Sequence, residues 1–119
     1  MTRRRLTLLT GLAALVAAAP ASPAAAPTLS GTVGPGFSIS LMKSGKRITA
    51  PLKRGRYTVS VNDRSDLHNF RLRGPGVNRA ITTVAAVGRK RVTLTLRPGR
   101  YTFLCDPHPA AMRGTFRVA

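Results

Sequence analysis

Cys105, His108 and Met112 stand on one short segment, Phe103-Leu104-Cys105-Asp106-Pro107-His108-Pro109-Ala110-Ala111-Met112-Arg113-Gly114, at the spacing C-x2-H-x3-M. They offer a thiolate, an imidazole and a thioether, the soft and borderline donors that copper prefers. Pro107 and Pro109 flank the histidine, fix their own backbone angles and disfavour helix, so the loop is stiff and its donors are placed in advance. The second of the two histidines, His68, lies upstream in Asp66-Leu67-His68-Asn69-Phe70. Together the four side chains supply two imidazoles, one thiolate and one weak axial sulfur, the donor set of a trigonal electron-transfer copper site.

Composition removes most competing chemistry. The chain has 119 residues, one cysteine, 20 Lys plus Arg against 3 Asp plus Glu, and a formal charge of +17. One cysteine forms no intrachain disulfide, and one Cys with two His cannot build a four-thiolate ribbon or a Cys2His2 finger. A binuclear copper site with two bridging thiolates lacks its second cysteine, and a multicopper oxidase lacks its many histidines. Once both histidines are ligands, no titratable cluster is left for substrate chemistry, because Asp63, Asp66 and Asp106 are too dispersed for a carboxylate pair. The sequence therefore reads as a non-enzyme. Gly74-Pro75-Gly76-Val77-Asn78 has no Lys-Ser/Thr after it and reads as a turn rather than a phosphate cradle.

The first 26 residues have the order of a secretory leader: three arginines at Arg3 to Arg5, an apolar stretch Leu6 to Ala19, then a small, proline-broken tail ending Ala24-Ala25-Ala26. Cleavage is expected after Ala26, with Ala21 as the alternative. Thr2-Arg3-Arg4-Arg5-Leu6 also approximates a twin-arginine signal, although ordinary secretion fits the following residues better. Taking 26 from 119 leaves 93 residues, and taking the three leader arginines from +17 leaves +14. Sixteen arginines against four lysines, with abundant alanine, suggest a GC-rich bacterial source. The expected location is outside the cytoplasm, in the periplasm, the medium or the cell envelope, with no transmembrane span in the mature chain.

The donors must be held by strands, since the mature chain alternates apolar and polar residues with period two and shows almost no helical period. Strands are expected at Phe37 to Leu41, Arg56 to Asn62, His68 to Leu72, Ile81 to Val84, Val92 to Leu96, Arg100 to Cys105 and Thr115 to Val118, with residues 27–36 as a linker and 37–119 as the domain. Lys43-Ser44-Gly45, Arg54-Gly55, Gly74-Pro75-Gly76, Gly88 and Pro98-Gly99 supply turns between them. Short strands at this spacing argue an all-β sandwich or a barrel. Two strings also echo one another 44 positions apart, Leu52-Lys53-Arg54-Gly55-Arg56-Tyr57-Thr58-Val59 and Leu96-Arg97-Pro98-Gly99-Arg100-Tyr101-Thr102-Phe103. They read as shared turn-into-strand chemistry rather than a solenoid repeat.

From Phe37 to Ala119 the chain resembles the cupredoxins, in particular the plastocyanin-like and amicyanin-like small blue copper proteins. The resemblance rests on His68-Asn69, on Pro98-Gly99-Arg100-Tyr101-Thr102-Phe103-Leu104-Cys105-Asp106-Pro107-His108, and on Met112-Arg113-Gly114-Thr115-Phe116-Arg117-Val118. Three residues separate His108 from Met112, where plastocyanin-like loops have four and amicyanin-like loops two. The resemblance implies a two-sheet Greek-key sandwich with copper near one end, held by His68, Cys105, His108 and Met112, and an Asn69 that ties the two ligand loops together. Phe70, Pro107, Pro109, Ala110 and Ala111 are expected to surround the site with apolar surface.

One-electron transfer is the expected function. Copper storage without a redox partner, or polyanion binding by a metal-free basic sandwich, are the alternatives. The charge of the mature chain favours an acidic redox protein or an anionic cell-envelope surface as partner. Nucleic acid is not expected, because few aromatics interleave with the basic clusters, and the protein is expected to be a monomer.

Overall fold

The computed structural model describes residues 10–19 and 24–119. Residues 1–9 and 20–23, which carry the arginines of the expected leader and the alternative cleavage point at Ala21, lie outside the described residues. Residues 10–19 form neither helix nor strand, and Leu12, Leu15 and Val16 are more than nine-tenths exposed, so the core is built without them. No described helix is long and apolar enough to cross a membrane.

The chain is all-strand, in two facing sheets. The first holds β1 (Thr28–Val33), β2 (Ile39–Lys43), β3 (Lys46–Arg47), β4 (Gly55–Asp63) and β7 (Gly88–Leu96) in the order β3-β2-β1-β4-β7. The second holds β5 (Arg71–Gly74), β6 (Val77–Ala80), β8 (Gly99–Leu104) and β9 (Arg113–Val118) in the order β6-β5-β8-β9. β4 and β7 pair although the β5–β6 hairpin of the opposite sheet lies between them in sequence, and β5 and β8 pair across β7. These crossovers make a Greek-key sandwich rather than a barrel. Period two in the sequence becomes two-faced strands: Tyr57, Val59, Val61 and Asp63 of β4 point inward between half-exposed neighbours.

Four expectations are corrected. Residues 27–36 are not a linker, because β1 is a central strand that pairs antiparallel with β2 and parallel with β4, and the folded unit starts at Thr28 rather than Phe37. The expected strand His68 to Leu72 begins only at Arg71, which leaves His68 on the loop between β4 and β5. Ile81 to Val84 is not a strand either. Its backbone is pinned to one residue, Phe70, whose carbonyl accepts from the Ile81 amide and whose amide donates to Thr82 Oγ1 at 2.9 Å. The first predicted strand also shifts, from Phe37–Leu41 to Ile39–Lys43, and so frees Phe37.

The echo between the two halves has a physical cause. Gly55 and Gly99 take φ of 143° and 139°, a region that side-chain-bearing residues avoid, and each opens its strand. Two residues later a tyrosine bends its hydroxyl back to the carbonyl four positions earlier, Tyr57 to Lys53 at 2.6 Å and Tyr101 to Arg97 at 3.0 Å. The Tyr101 oxygen also accepts from the Arg97 amide at 2.9 Å and lies 3.1 Å from the Pro75 carbonyl, so it fastens the β7–β8 turn to the β5–β6 turn. Tyr101→Phe is therefore expected to lower unfolding stability by about 1–3 kcal/mol, read from denaturant midpoints at unchanged slope. Tyr57→Phe, with a single partner, is expected to cost less.

Candidate metal centre

Both ligand-bearing loops leave the same end of the sandwich. The loop after β4 is shaped by its own side chains: the Ser65 amide donates to Asp63 Oδ1 at 3.1 Å and the Leu67 amide to Ser65 Oγ at 3.1 Å, two local turns that deliver His68 inward. The loop after β8 is closed by its backbone. The Cys105 amide donates to the Met112 carbonyl, the His108 amide to the Cys105 carbonyl and the Met112 amide to the His108 carbonyl, at 2.9 to 3.1 Å. The three donor-bearing residues of this loop are thus coupled through their main chain, with Pro107 and Pro109, which have no amide hydrogen to donate, set between them.

The structure gathers His68, Cys105 and His108 into one cluster whose donor atoms all lie within 4.8 Å. The two Nδ1 atoms are 3.1 Å apart, and each lies 3.7 Å from Cys105 Sγ. The point equidistant from the corners of such a triangle is about 2 Å from each, close to the length of a metal–imidazole bond and slightly inside a metal–thiolate bond. Two imidazoles and one thiol at that separation fit a single soft or borderline ion. Met112 is fully buried and held in the same loop by both of its backbone hydrogen bonds. Cys105 and His68 are buried as well, whereas His108 keeps an exposed edge.

Asn69 joins the two loops through Asp106. Its Nδ2 donates to Asp106 Oδ2 at 2.8 Å while its Oδ1 accepts from the Asp106 amide at 2.7 Å. The hydrogen bond from the Arg71 guanidinium lowers the pKa of the Asp106 carboxyl from its ordinary value, against the opposing effect of burial. The surround differs from expectation at Phe70, which lies wholly inside the core, stacked on Phe103 at 5.8 Å. Pro107, Pro109, Ala110 and Ala111 are at the surface.

The aromatic that does cover the site is Phe37. It is 68% exposed, yet its ring lies 5.4 Å from that of His68 and 4.9 Å from that of His108, edge-on to the latter. In sequence a phenylalanine between Gly36 and Ser38 carried only a strand signal. Phe37→Ala is expected to admit water to both imidazoles and to speed copper loss to a competing chelator by about tenfold, followed by absorbance after mixing. Unchanged release would show that the ring contributes nothing to shielding.

Residues 52–119 match the model of the family of copper-binding proteins that includes plastocyanin and azurin. Among solved structures, a methionine-to-glutamine variant of rusticyanin aligns with a TM-score of 0.55 at 20% identity, covering 77% of this chain and 76% of that one. Reduced rusticyanin aligns with a TM-score of 0.52 at 21% identity, covering 77% and 78%. These two likenesses bear on the fold. No curated protein matches the chain in sequence. The sandwich, the clustered imidazoles and thiol, and the family match define a cupredoxin: the chain belongs to the plastocyanin/azurin family of copper-binding proteins. Its cofactor is copper.

Proposed function

We propose that this protein is an exported carrier of single electrons, in which His68, Cys105, His108 and Met112 would hold one copper ion. The observation that carries the reading is the 3.1, 3.7 and 3.7 Å triangle of donor atoms inside a closed, mostly buried pair of loops. Copper supplies a one-electron couple between its two common oxidation states when bound in such a donor set. Cys105 contributes the thiolate, buried where water cannot compete for it. His68 and His108 contribute neutral imidazoles through Nδ1, and Phe37 packs against both rings, so their orientations are set before any ion arrives. A preset geometry leaves little to rearrange when the charge changes, which favours fast transfer.

Of the three clustered donors only His108 keeps an exposed edge, with the ring of Phe37 against it and Pro107 and Pro109 beside it in sequence, so a partner would approach there. Arginines dominate the basic charge, and two of the three acidic residues are already engaged, Asp63 by the Ser65 amide and Asp106 by Asn69 and Arg71. An acidic redox protein or an anionic envelope surface therefore fits as partner, with association that weakens as salt rises. The proposed export rests on the leader-like order of residues 1–26, of which residues 10–19 are described and lie outside the core.

The test is electrochemical. The chain from Pro27 onward, loaded with copper(II), is expected to give a reversible couple that transfers one electron per copper and exchanges rapidly between oxidised and reduced copies. Slow, incomplete cycling with transfer of copper to an acceptor would instead identify a storage protein.

A further inference from the structure

Arg71 and Asp106 form the one ion pair among the described residues, 2.8 Å from Nε to Oδ1, with Oδ2 at 3.0 Å from the same nitrogen. It sits immediately after the thiol-bearing residue. Asp106 follows Cys105 directly, and Arg71 pairs in register with Leu104, the last residue of β8. The guanidinium is fixed from its other side too, because Nη1 donates to Asn78 Oδ1 at 3.0 Å on β6. Asn69, next to His68, engages the remaining faces of Asp106. One carboxylate thereby joins the His68 loop, the Cys105 loop and the β5–β6 hairpin.

A chain with only three carboxylates and a net charge of +17 has placed one of them beside its metal site and matched it with a cation. A carboxylate in that position favours the more positive, oxidised state of the ion, and an adjacent guanidinium offsets it. Both side chains are partly screened, at 24% and 33% exposure, yet each is held by at least two hydrogen bonds, which removes the freedom that makes surface pairs weak. We propose that Arg71 and Asp106 are positioning residues: a charge-balanced clamp that holds the thiolate loop on β5 and sets the reduction potential of the copper. This rests on the copper reading above.

The clamp predicts effects of opposite sign. Arg71→Gln leaves the carboxylate unbalanced, so at a fixed applied potential the ratio of reduced to oxidised protein falls about tenfold, a shift of about 59 mV for a one-electron couple. Asp106→Asn leaves the guanidinium unbalanced and raises that ratio by a similar factor. The double variant returns to within about threefold of the native ratio. Arg71→Lys keeps the charge but not the planar fork, so its ratio stays near native while the loop loosens. Looseness is read separately in the metal-free protein, where the Asp106 amide, bonded to Asn69 Oδ1, should exchange its hydrogen at least about tenfold faster in both Arg71 variants.

Single variants that shift the potential in the same direction, or by less than twofold in the ratio, overturn the charge-balance role. Unchanged exchange at the Asp106 amide overturns the clamp. A native protein that shows no reversible couple overturns the copper reading instead, and the exchange measurement on metal-free protein then decides the clamp by itself.

Discussion

Cys105→Ser abolishes the intense visible absorption expected of the copper-loaded protein at about 600 nm and weakens copper binding by at least about a hundredfold. Cys105 is wholly buried and its Sγ stands 3.7 Å from each imidazole nitrogen, so its thiolate is the one donor that brings negative charge into the triangle. A serine hydroxyl in the same place stays protonated at neutral pH and has no sulfur orbital from which charge can move to the metal. The fold should tolerate the change. The hydrogen bonds that close the loop at this residue come from its backbone, so they survive the substitution. Far-UV circular dichroism and the metal-free melting temperature should therefore remain close to native while colour and affinity disappear. A variant that kept the band would place the chromophore outside the cluster.

The residues whose loss matters most here are also those that sequence exposes best, and rarity is the reason. One cysteine and two histidines in 119 residues leave few ways to assemble a soft-metal site, and proline-stiffened spacing points to the loop that holds two of them. Phe37 and Arg71 carry no comparable signal, since an exposed phenylalanine and one arginine among sixteen look like any others until neighbours are known. The strands divide on similar physics. β4 and β8 are legible because Tyr57, Val59 and Val61 in one and Tyr101 and Phe103 in the other put buried apolar side chains at every second position. β1 hides because Gly31, between the inward Leu29 and Val33, gives up its place to the ring of Phe70, which a Cβ there would meet at 3.0 Å. Ile81 to Val84 misleads in the opposite sense. Ile81 and Thr82 are both buried although adjacent, which a two-faced strand does not do, and their hydrogen bonds go to Phe70 instead of a ladder.

Phe70 is thus the point where fold and site meet, and Phe70→Ala is the substitution expected to cost the most stability. The ring is fully buried, lies parallel to Phe103 with 7° between planes, and occupies the space above Gly31 that joins the two sheets. Its truncation removes those contacts and leaves a cavity that strands on both sides cannot collapse into, at about 3–5 kcal/mol. For a domain of this size that corresponds to a melting temperature lower by roughly 15–30 °C. Phe70→Leu, which keeps most of the volume, should lose far less. Copper separates the two roles of this position. The backbone of Phe70 follows His68-Asn69 directly, so a loosened core also frees one imidazole, and binding must then supply the order that packing no longer does. Copper should raise the melting temperature of Phe70→Ala, since a ligand that binds only the folded state stabilises it by mass action. Its affinity for that variant should nevertheless be weaker than for the native protein. Equal copper affinity in both would mean that the ligand loops hold their geometry independently of the aromatic layer beneath them.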